Sequence, residues 1–240
     1  MNKTISIITV CYNAENEIEE TIRSIIPFIN KDVEYIIVDG NSKDNTINII
    51  NKYNNKISKV ISEDDHGIYD AMNKGIALAS GTWVIFINIG DKLLQIPPIL
   101  FDNKTKEFDS VACAIISEND KITSPRLNKS LKYHNTLPHQ GLFYNIHKTY
   151  VKFDTAYNIY SDYDYNLFMY KNKHLILIIN QVVAFHSLVG ISNNKNYSHE
   201  LYDIIKKHNG NIYVYVSKIY FLWCGINNKL NKWKKFVSKY

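Results

Sequence analysis

Four short apolar runs, each closed by a polar turn and separated by helical patterns, constrain this chain more than anything else in it. Residues 5–10 form a short apolar run rich in β-branched side chains and read as a buried strand. A polar turn follows, then a helix with Ile18, Ile22, Ile25 and Ile26 on one face, stopping near Pro27. Residues 34–38 are a second strand ending on Asp39-Gly40, after which Asp44 or Asn45 caps a helix through Ile50 and Tyr53. Residues 59–61 are a third strand, 67–79 a helix ended by Gly81, and 83–87 a fourth strand followed by Asn88-Ile89-Gly90-Asp91. Strand and helix in alternation mean an α/β layer with a mainly parallel, Rossmann-like sheet flanked by helices. Such sheets bind ligands beyond the carboxyl ends of their strands. The turns after strands one, two and four therefore share one edge.

After Asp91 the alternation loosens. Strands are expected at 110–116, from 137 to 144 and over 175–186, a turn at Asn119-Asp120 and a helix over 161–170. Ser198 is placed to cap a helix reaching Lys207 and closed by Gly210. Residues 228–240 put Leu230, Trp233, Val237 and Tyr240 on one helical face. A chain of 240 residues accommodates one large domain with an appendage. The expected division is a domain over 1–195, with halves 1–95 and 96–195, and a basic helical extension over 196–240.

Charge is uneven along this plan. The formal net charge is +5, and no acidic residue follows Asp203, whereas Lys206, Lys207, Lys218, Lys229, Lys232, Lys234, Lys235 and Lys239 do. Subtracting the +8 of those lysines from +5 leaves −3 for the rest, so the basicity belongs to the tail. Such a tail suits an anionic membrane face with Trp223 and Trp233 as anchors, although docking on the domain or nucleic acid would also satisfy it. Residues 212–226 are apolar but too short and lysine-interrupted to span a bilayer. Three scattered cysteines, Cys11, Cys113 and Cys224, argue against a zinc site and suit a reducing compartment. The N-terminus does not read as a signal peptide, which makes the cytoplasm the expected location.

Neither G-x-G-x-x-G nor G-x-x-x-x-G-K-[ST] occurs, so dinucleotide and P-loop readings lose their support. Four other blocks stand in order: residues 6–13, SIITVCYN; 36–46, IIVDGNSKDNT; 65–75, DHGIYDAMNKG; and 79–91, ASGTWVIFINIGD. Together they resemble the family 2 glycosyltransferases, whose fold is GT-A. Weaker similarity continues through Pro138-His139-Gln140, Ser161-Asp162-Tyr163-Asp164 and Gly190-Ile191-Ser192, covering about residues 4–195. The bacterial members that build polysaccharide repeat units, such as O-antigen or capsule, on lipid carriers are the most similar in pattern.

The resemblance implies roles, each beside a plainer reading. Asp39 would hydrogen-bond uracil through the imide N–H, though a turn carboxylate can equally bind its own backbone. Thr9, Tyr12, Asn13, Glu15 and Asn41 would line the base and ribose, or simply cap and pack. Asn73 and Lys74 would lie near the diphosphate and Asp70 near the donor sugar or ribose; many relatives carry Arg where this chain has Met72. Asn88-Ile89-Gly90-Asp91 occupies the family's Asp-x-Asp-Asp turn, where a divalent cation bridges the phosphates. Only Asp91 survives there as a carboxylate, with Asn88 a carbonyl ligand at best, which still implies Mg²⁺ or Mn²⁺. Asp162 aligns with the base that deprotonates the acceptor, with Asp164 second, although acids also favour a helix N-terminus. His139 and Gln140 would lie near a sugar and His186 near the metal or diphosphate, unless they are structural.

The implied activity is an inverting transfer of a hexose or N-acetylhexosamine from a UDP-sugar to a lipid-linked (polyprenyl diphosphate) saccharide. The implied location is cytoplasmic, peripheral on the inner membrane. A non-catalytic sugar-nucleotide-binding module is the alternative. A nucleic-acid partner is not expected, because the positive charge is confined to the tail.

Overall fold

The computed structural model describes residues 3–187 and 197–237, with 228–237 described by backbone alone. The Gly190-Ile191-Ser192 block and the side chains of Leu230, Trp233, Val237 and Tyr240 lie outside the described residues. The strands are β1 (Ile5–Cys11), β2 (Val33–Asp39), β3 (Lys59–Ser62), β4 (Trp83–Phe86), β5 (Lys92–Leu93), β6 (Ser110–Ser117), β7 (Ile122–Thr123), β8 (Leu142–Asn145) and β9 (Ile176–His186). The helices are α1 (Ile18–Ile25), α2 (Thr46–Asn51), α3 (Ile68–Leu78), α4 (Ser161–Lys171), α5 (Ser198–Asn209) and α6 (Asn211–Val237).

One sheet runs in the order β3-β2-β1-β4-β8-β6-β9-β5, with β7 against β6. The first four strands are mutually parallel. Only β8 reverses between β4 and β6, and β9 runs parallel to β6. The carboxyl ends of β1, β2, β3, β4, β6 and β9 therefore share one edge, and β8 begins there.

The buried strands alternate between two cores. Ile5, Ile7, Tyr35, Ile37, Trp83 and Ile85 pack with α1 and α2 on one face. Ile8, Val10, Ile36, Val38, Val84 and Phe86 pack with α3, α4 and α5 on the other. This is why these strands read as continuous apolar runs: a parallel sheet covered on both faces has no solvated side. Gly75 is fitted to this packing, since a Cβ there would meet Ile8 Cγ2 at 2.6 Å.

Three expectations change. The strand expected from 137 begins only at Leu142, because a 3₁₀ turn over His139–Gly141 follows Pro138. Ser198 is the first helical residue and not the cap, which is Tyr197. The expected boundary at 195 does not separate α5 from the domain: Leu201, Ile204 and Ile205 are buried in the second core. The tail is also one helix, α6, from Asn211 onward. Gly225 does not interrupt it, as an exposed helical glycine costs only about 1 kcal/mol.

Candidate active site

The loops at the sheet edge are stitched to each other by side chains. Asn13, at φ 47°, donates its N–H to Ser42 Oγ and accepts from Lys43 N–H through Oδ1. Glu15 accepts from Asn45 N–H, and Asp44 accepts from Glu15 N–H and Thr46 N–H. The N-cap of α2 is Asn45, which makes no side-chain cap bond; Asp44, one residue earlier, takes up the N–H of Thr46. Asn41, at φ 63°, donates to Asp64 Oδ1 at 2.9 Å and ties the second loop to the one before α3.

Several residues expected to touch a nucleotide are consumed by this framework. Thr9 is wholly buried, donates to Ile87 O and accepts from Tyr35 Oη, so it braces β1 against β4 below the edge. Asn73 exchanges both hydrogen bonds of an amide pair with the Phe153 backbone and pins α3 to that segment. Lys74 is held by Glu63, Asp70 and the Asp64 carbonyl. Burial opposes its charge, yet those partners raise its pKa, so a phosphate would meet an ammonium already engaged.

Asp39 is the clearest case. It is wholly buried, and its two oxygens accept from Cys11 Sγ, Ser42 N–H, Ser42 Oγ and Ser62 Oγ. It builds the loop after β2 and is not presented to a ligand. What stands at the surface beside it is Asp65. A side chain at position 40 would collide with Asp65 Oδ2, so Gly40 makes room for that carboxylate, with the Tyr12 ring on the same spot. Asp65 Oδ1 accepts from Gly67 N–H at the start of α3, leaving Oδ2 for a ligand. Tyr12 is 61% exposed and offers a flat face. The sequence held part of the signal for Asp65, a carboxylate two residues before the glycine that opens α3, but that it faces Gly40 comes only from the fold.

The second half of the edge is assembled by strand register. β5 pairs antiparallel with β9, Lys92 opposite Phe185. That register sets Asp91 beside His186, and Asp91 Oδ1 lies 3.0 Å from His186 Nδ1 and 2.9 Å from Ser187 N. Gln140 Nε2 also lies 2.8 Å from Nδ1. The roles of the ring nitrogens in these contacts depend on the tautomer. Asn88 Oδ1, three residues before Asp91, is buried with no hydrogen-bond partner among the described residues.

Among the described residues no group of three or more His, Cys, Asp or Glu could hold a metal by itself. Asp91, His186 and Asn88 Oδ1 nevertheless fit a cation that arrives with phosphate, which characteristically takes one or two protein carboxylates and completes its shell on the substrate. The imidazole favours Mn²⁺ over Mg²⁺ in this donor set.

Asp162 opens α4 on the same side. Tyr69 Oη from α3 lies 3.0 Å from Oδ1, and Asn135 Nδ2 donates to Oδ2 at 3.2 Å. His139 is stacked on Phe86 at 5.2 Å, with both ring nitrogens buried and without a hydrogen-bond partner among the described residues. Burial lowers its pKa and so favours the neutral ring, against the opposing pull of the Asp162 and Asp91 charges. Asp164 has a different fate: it accepts from Lys207 at 2.9 Å and His208 at 2.8 Å and fastens α4 to α5.

α5 also sets the approach to Asp162. Glu200, buried in its first turn, accepts from Asn158 N–H, Asn158 Nδ2 and Ile159 N–H. Ile159 O in turn accepts from Tyr69 Oη. Burial works to raise the Glu200 pKa, but these donors outweigh it and lower it. A depressed folded pKa means stabilisation present above the usual glutamate range and lost as pH falls through the lowered value. Glu200→Gln, which keeps one acceptor oxygen and sets an NH₂ against a donor, is expected to cost about 1–3 kcal/mol by urea unfolding. That cost should shrink in acid; a pH-independent difference would remove Glu200 from this role.

Comparison with known proteins adds to this geometry. The model for glycosyl transferase family 2 matches residues 6–175. A PGL/p-HBAD biosynthesis glycosyltransferase of Mycobacterium tuberculosis (strain ATCC 25618 / H37Rv), Rv2957, is 29% identical over 175 residues, 68% of each chain. The putative teichuronic acid biosynthesis glycosyltransferase TuaG of Bacillus subtilis (strain 168) is 36% identical over 91 residues, 37% of this chain and 36% of that one. Among solved structures, S. aureus TarS 1–349 in complex with UDP superposes with a TM-score of 0.64 at 19% identity, over 85% of this chain and 65% of that one. Against a longer TarS chain this one spans 39% of the length. A mannosyltransferase of Pyrobaculum calidifontis, in complex with GDP-Man and Mn²⁺, superposes with a TM-score of 0.57 at 14% identity, over 92% of this chain and 65% of that one. These likenesses are of fold, and the fold is GT-A, as the four blocks implied.

Proposed function

The chain belongs to glycosyl transferase family 2, and from that premise we propose that it transfers a hexose or N-acetylhexosamine from a UDP-sugar to a lipid-linked saccharide, with inversion. The observation that carries the reading is the gathering of Asp91, His186 and Asp162 around buried His139, on the edge where Tyr12 and Asp65 stand. Tyr12 stacks on the base, and Asp65 Oδ2 accepts the imide N–H in the role the resemblance gave to Asp39. Asp39 acts beneath them by shaping the loop. Asp70 and Asn41 edge the ribose, while Asn88, Gln140 and His139 face the diphosphate and sugar. Asp91 and His186 would hold Mn²⁺ or Mg²⁺, which when bound neutralises charge on the departing diphosphate.

Asp162 takes the proton from the acceptor hydroxyl as its oxygen bonds to the anomeric carbon and the bond to the nucleotide phosphate breaks on the opposite face. The acceptor is a saccharide on a polyprenyl diphosphate, as in cell-surface polysaccharide assembly, reached at an anionic membrane on its cytoplasmic side. The names of the relatives, for PGL/p-HBAD biosynthesis and, putatively, teichuronic acid biosynthesis, support that class of acceptor.

Thermal shifts with UDP-, GDP-, CMP- and TDP-sugars, with and without Mn²⁺, test the donor. At about a hundredfold excess over Kd, binding adds about 2.7 kcal/mol, a rise of roughly 5–10 °C for a chain of this size. The rise should be confined to the uridine series and vanish in Asp65→Ala. Equal shifts with GDP-sugars, or an Asp65→Ala variant that still selects uridine, would discard the base assignment. The thinness of the metal donor set favours one second reading, a sugar-nucleotide-binding module without activity. It predicts the same shifts but no release of UDP with any acceptor.

A further inference from the structure

α6 is anchored by one side only. Ser217 is buried, Tyr220 stacks on His134 with ring centres 4.3 Å apart, and Lys132 Nζ sits 5.2 Å over the Tyr213 ring. Away from that side runs a stripe of exposed apolar residues at helical spacing: Ile212, Tyr215, Ile219, Leu222, Trp223 and Ile226. Ile212 is 76% exposed, Ile219 68% and Trp223 60%. Fourteen residues separate the ends of the stripe, a length of about 20 Å along the helix axis. Six neighbouring large apolar side chains left in water form a patch of the kind that marks an interaction surface.

No described helix is long and apolar enough to cross a membrane. The charge beside the stripe decides what it meets. From residue 204 to 240 there are eight lysines and no acid. A second copy docked through this face would bring two lysine-rich, acid-free segments together. An anionic surface would neutralise them, and an apolar helical face that carries Trp and Tyr in a lysine-rich, acid-free segment is the pattern of a helix lying in a lipid interface.

We propose that α6 lies in the headgroup region of an anionic membrane, with Ile212, Ile219, Leu222, Trp223 and Ile226 inserted among the acyl chains and the lysines on the phosphates. The lysines after Asp203, together with Trp223, suggest an anionic membrane from the sequence; the structure adds the surface that would meet it, the apolar face of residues 212–226, held to the GT-A domain through the docked side of the same helix. The proposal shares with the proposed function only the idea of a membrane-borne acceptor. Its measurement needs neither donor nor acceptor, so either can fail alone.

The test is flotation of the full chain with vesicles of phosphatidylcholine plus phosphatidylglycerol, beside vesicles of phosphatidylcholine alone. The protein should float with the anionic vesicles and, in the double variant Ile219→Glu, Leu222→Glu, flotation should fall about tenfold or more. Circular dichroism and the nucleotide thermal shift should be unchanged in that variant. If it does not fold, Trp223 reports instead: in a Trp233→Phe background, vesicles with brominated acyl chains should quench its emission, since Trp83 is wholly buried in the core. Absence of flotation, flotation undiminished by the two glutamates, or unquenched Trp223 each overturns the proposal. So does a dimer in sedimentation that the glutamates dissociate, because the occupant would then be a second copy.

Discussion

Asp162→Asn should lower the rate of UDP release to acceptor by about 10²–10⁴-fold, the usual contribution of a positioned general base, while the affinity for UDP stays within error. The substitution keeps the shape of the side chain and removes only its ability to take a proton. Its surroundings are arranged to aim it: Tyr69 Oη and Asn135 Nδ2 contact one carboxylate oxygen each, from α3 and from the segment before the His139 turn. An amide can keep one of these contacts, so nucleotide binding, which does not involve Asp162, should survive. Turnover and calorimetric UDP titration on the same preparation separate the two. Normal turnover in the variant would end the assignment, and loss of UDP binding along with turnover would mean that the variant is misfolded or that Asp162 belongs to the donor site. Asp164→Asn is the informative contrast. Its partners Lys207 and His208 lie on α5, so stability should fall and turnover at a permissive temperature should not.

Removing the cation is the second large effect. EDTA should abolish transfer, and Mn²⁺, or Mg²⁺ less effectively, should restore it. A cation at the departing diphosphate is worth several kcal/mol, and each 1.36 kcal/mol is tenfold in rate, so about 10³-fold is at stake. Asp91→Asn should lose most of this. His186→Ala should lose about 10–100-fold, the size typical of a group that orients a ligand. Electron paramagnetic resonance of Mn²⁺ gives a readout apart from turnover: added UDP should convert free Mn²⁺ signal to bound in the wild type and not in Asp91→Asn. Turnover indifferent to EDTA would show that the protein's own groups carry the diphosphate charge, with Lys74 and His186 the ones to test next.

Much of this was legible before any fold was known, wherever the signal is local. An apolar run buried on both faces, an acidic turn at its end and a glycine-opened helix are written in neighbouring residues. β1 to β4, the helices between them and the edge they share follow from that pattern together with the handedness of parallel connections. The family resemblance singled out Asp91 and Asp162, and the fold sets one in the turn after β4 and the other at the start of α4. What could not be read was which side chains the turns spend on themselves. Asp39 and Asn73 carry the right chemistry for a ligand, but one closes a loop with Ser42 and Ser62, and the other clamps the backbone of Phe153.

The sequence by itself determined the order of elements, the edge at which chemistry can occur and the family to which the chain belongs. Tertiary structure alone decided the composition of the site. His186 faces Asp91 because β5 pairs with β9 across more than ninety residues of chain, and no spacing in the sequence encodes that register. Asp65 stands where a side chain at position 40 would, because Gly40 leaves the volume empty. Glu200 and the Asp164 clamp bring α5, outside the residues matched by the family model, into contact with the elements that carry Asp162. The physical reason is the same in each instance. Secondary structure answers to neighbours along the chain, whereas a polar group's availability depends on every donor and acceptor packed around it, and those arrive only with the fold.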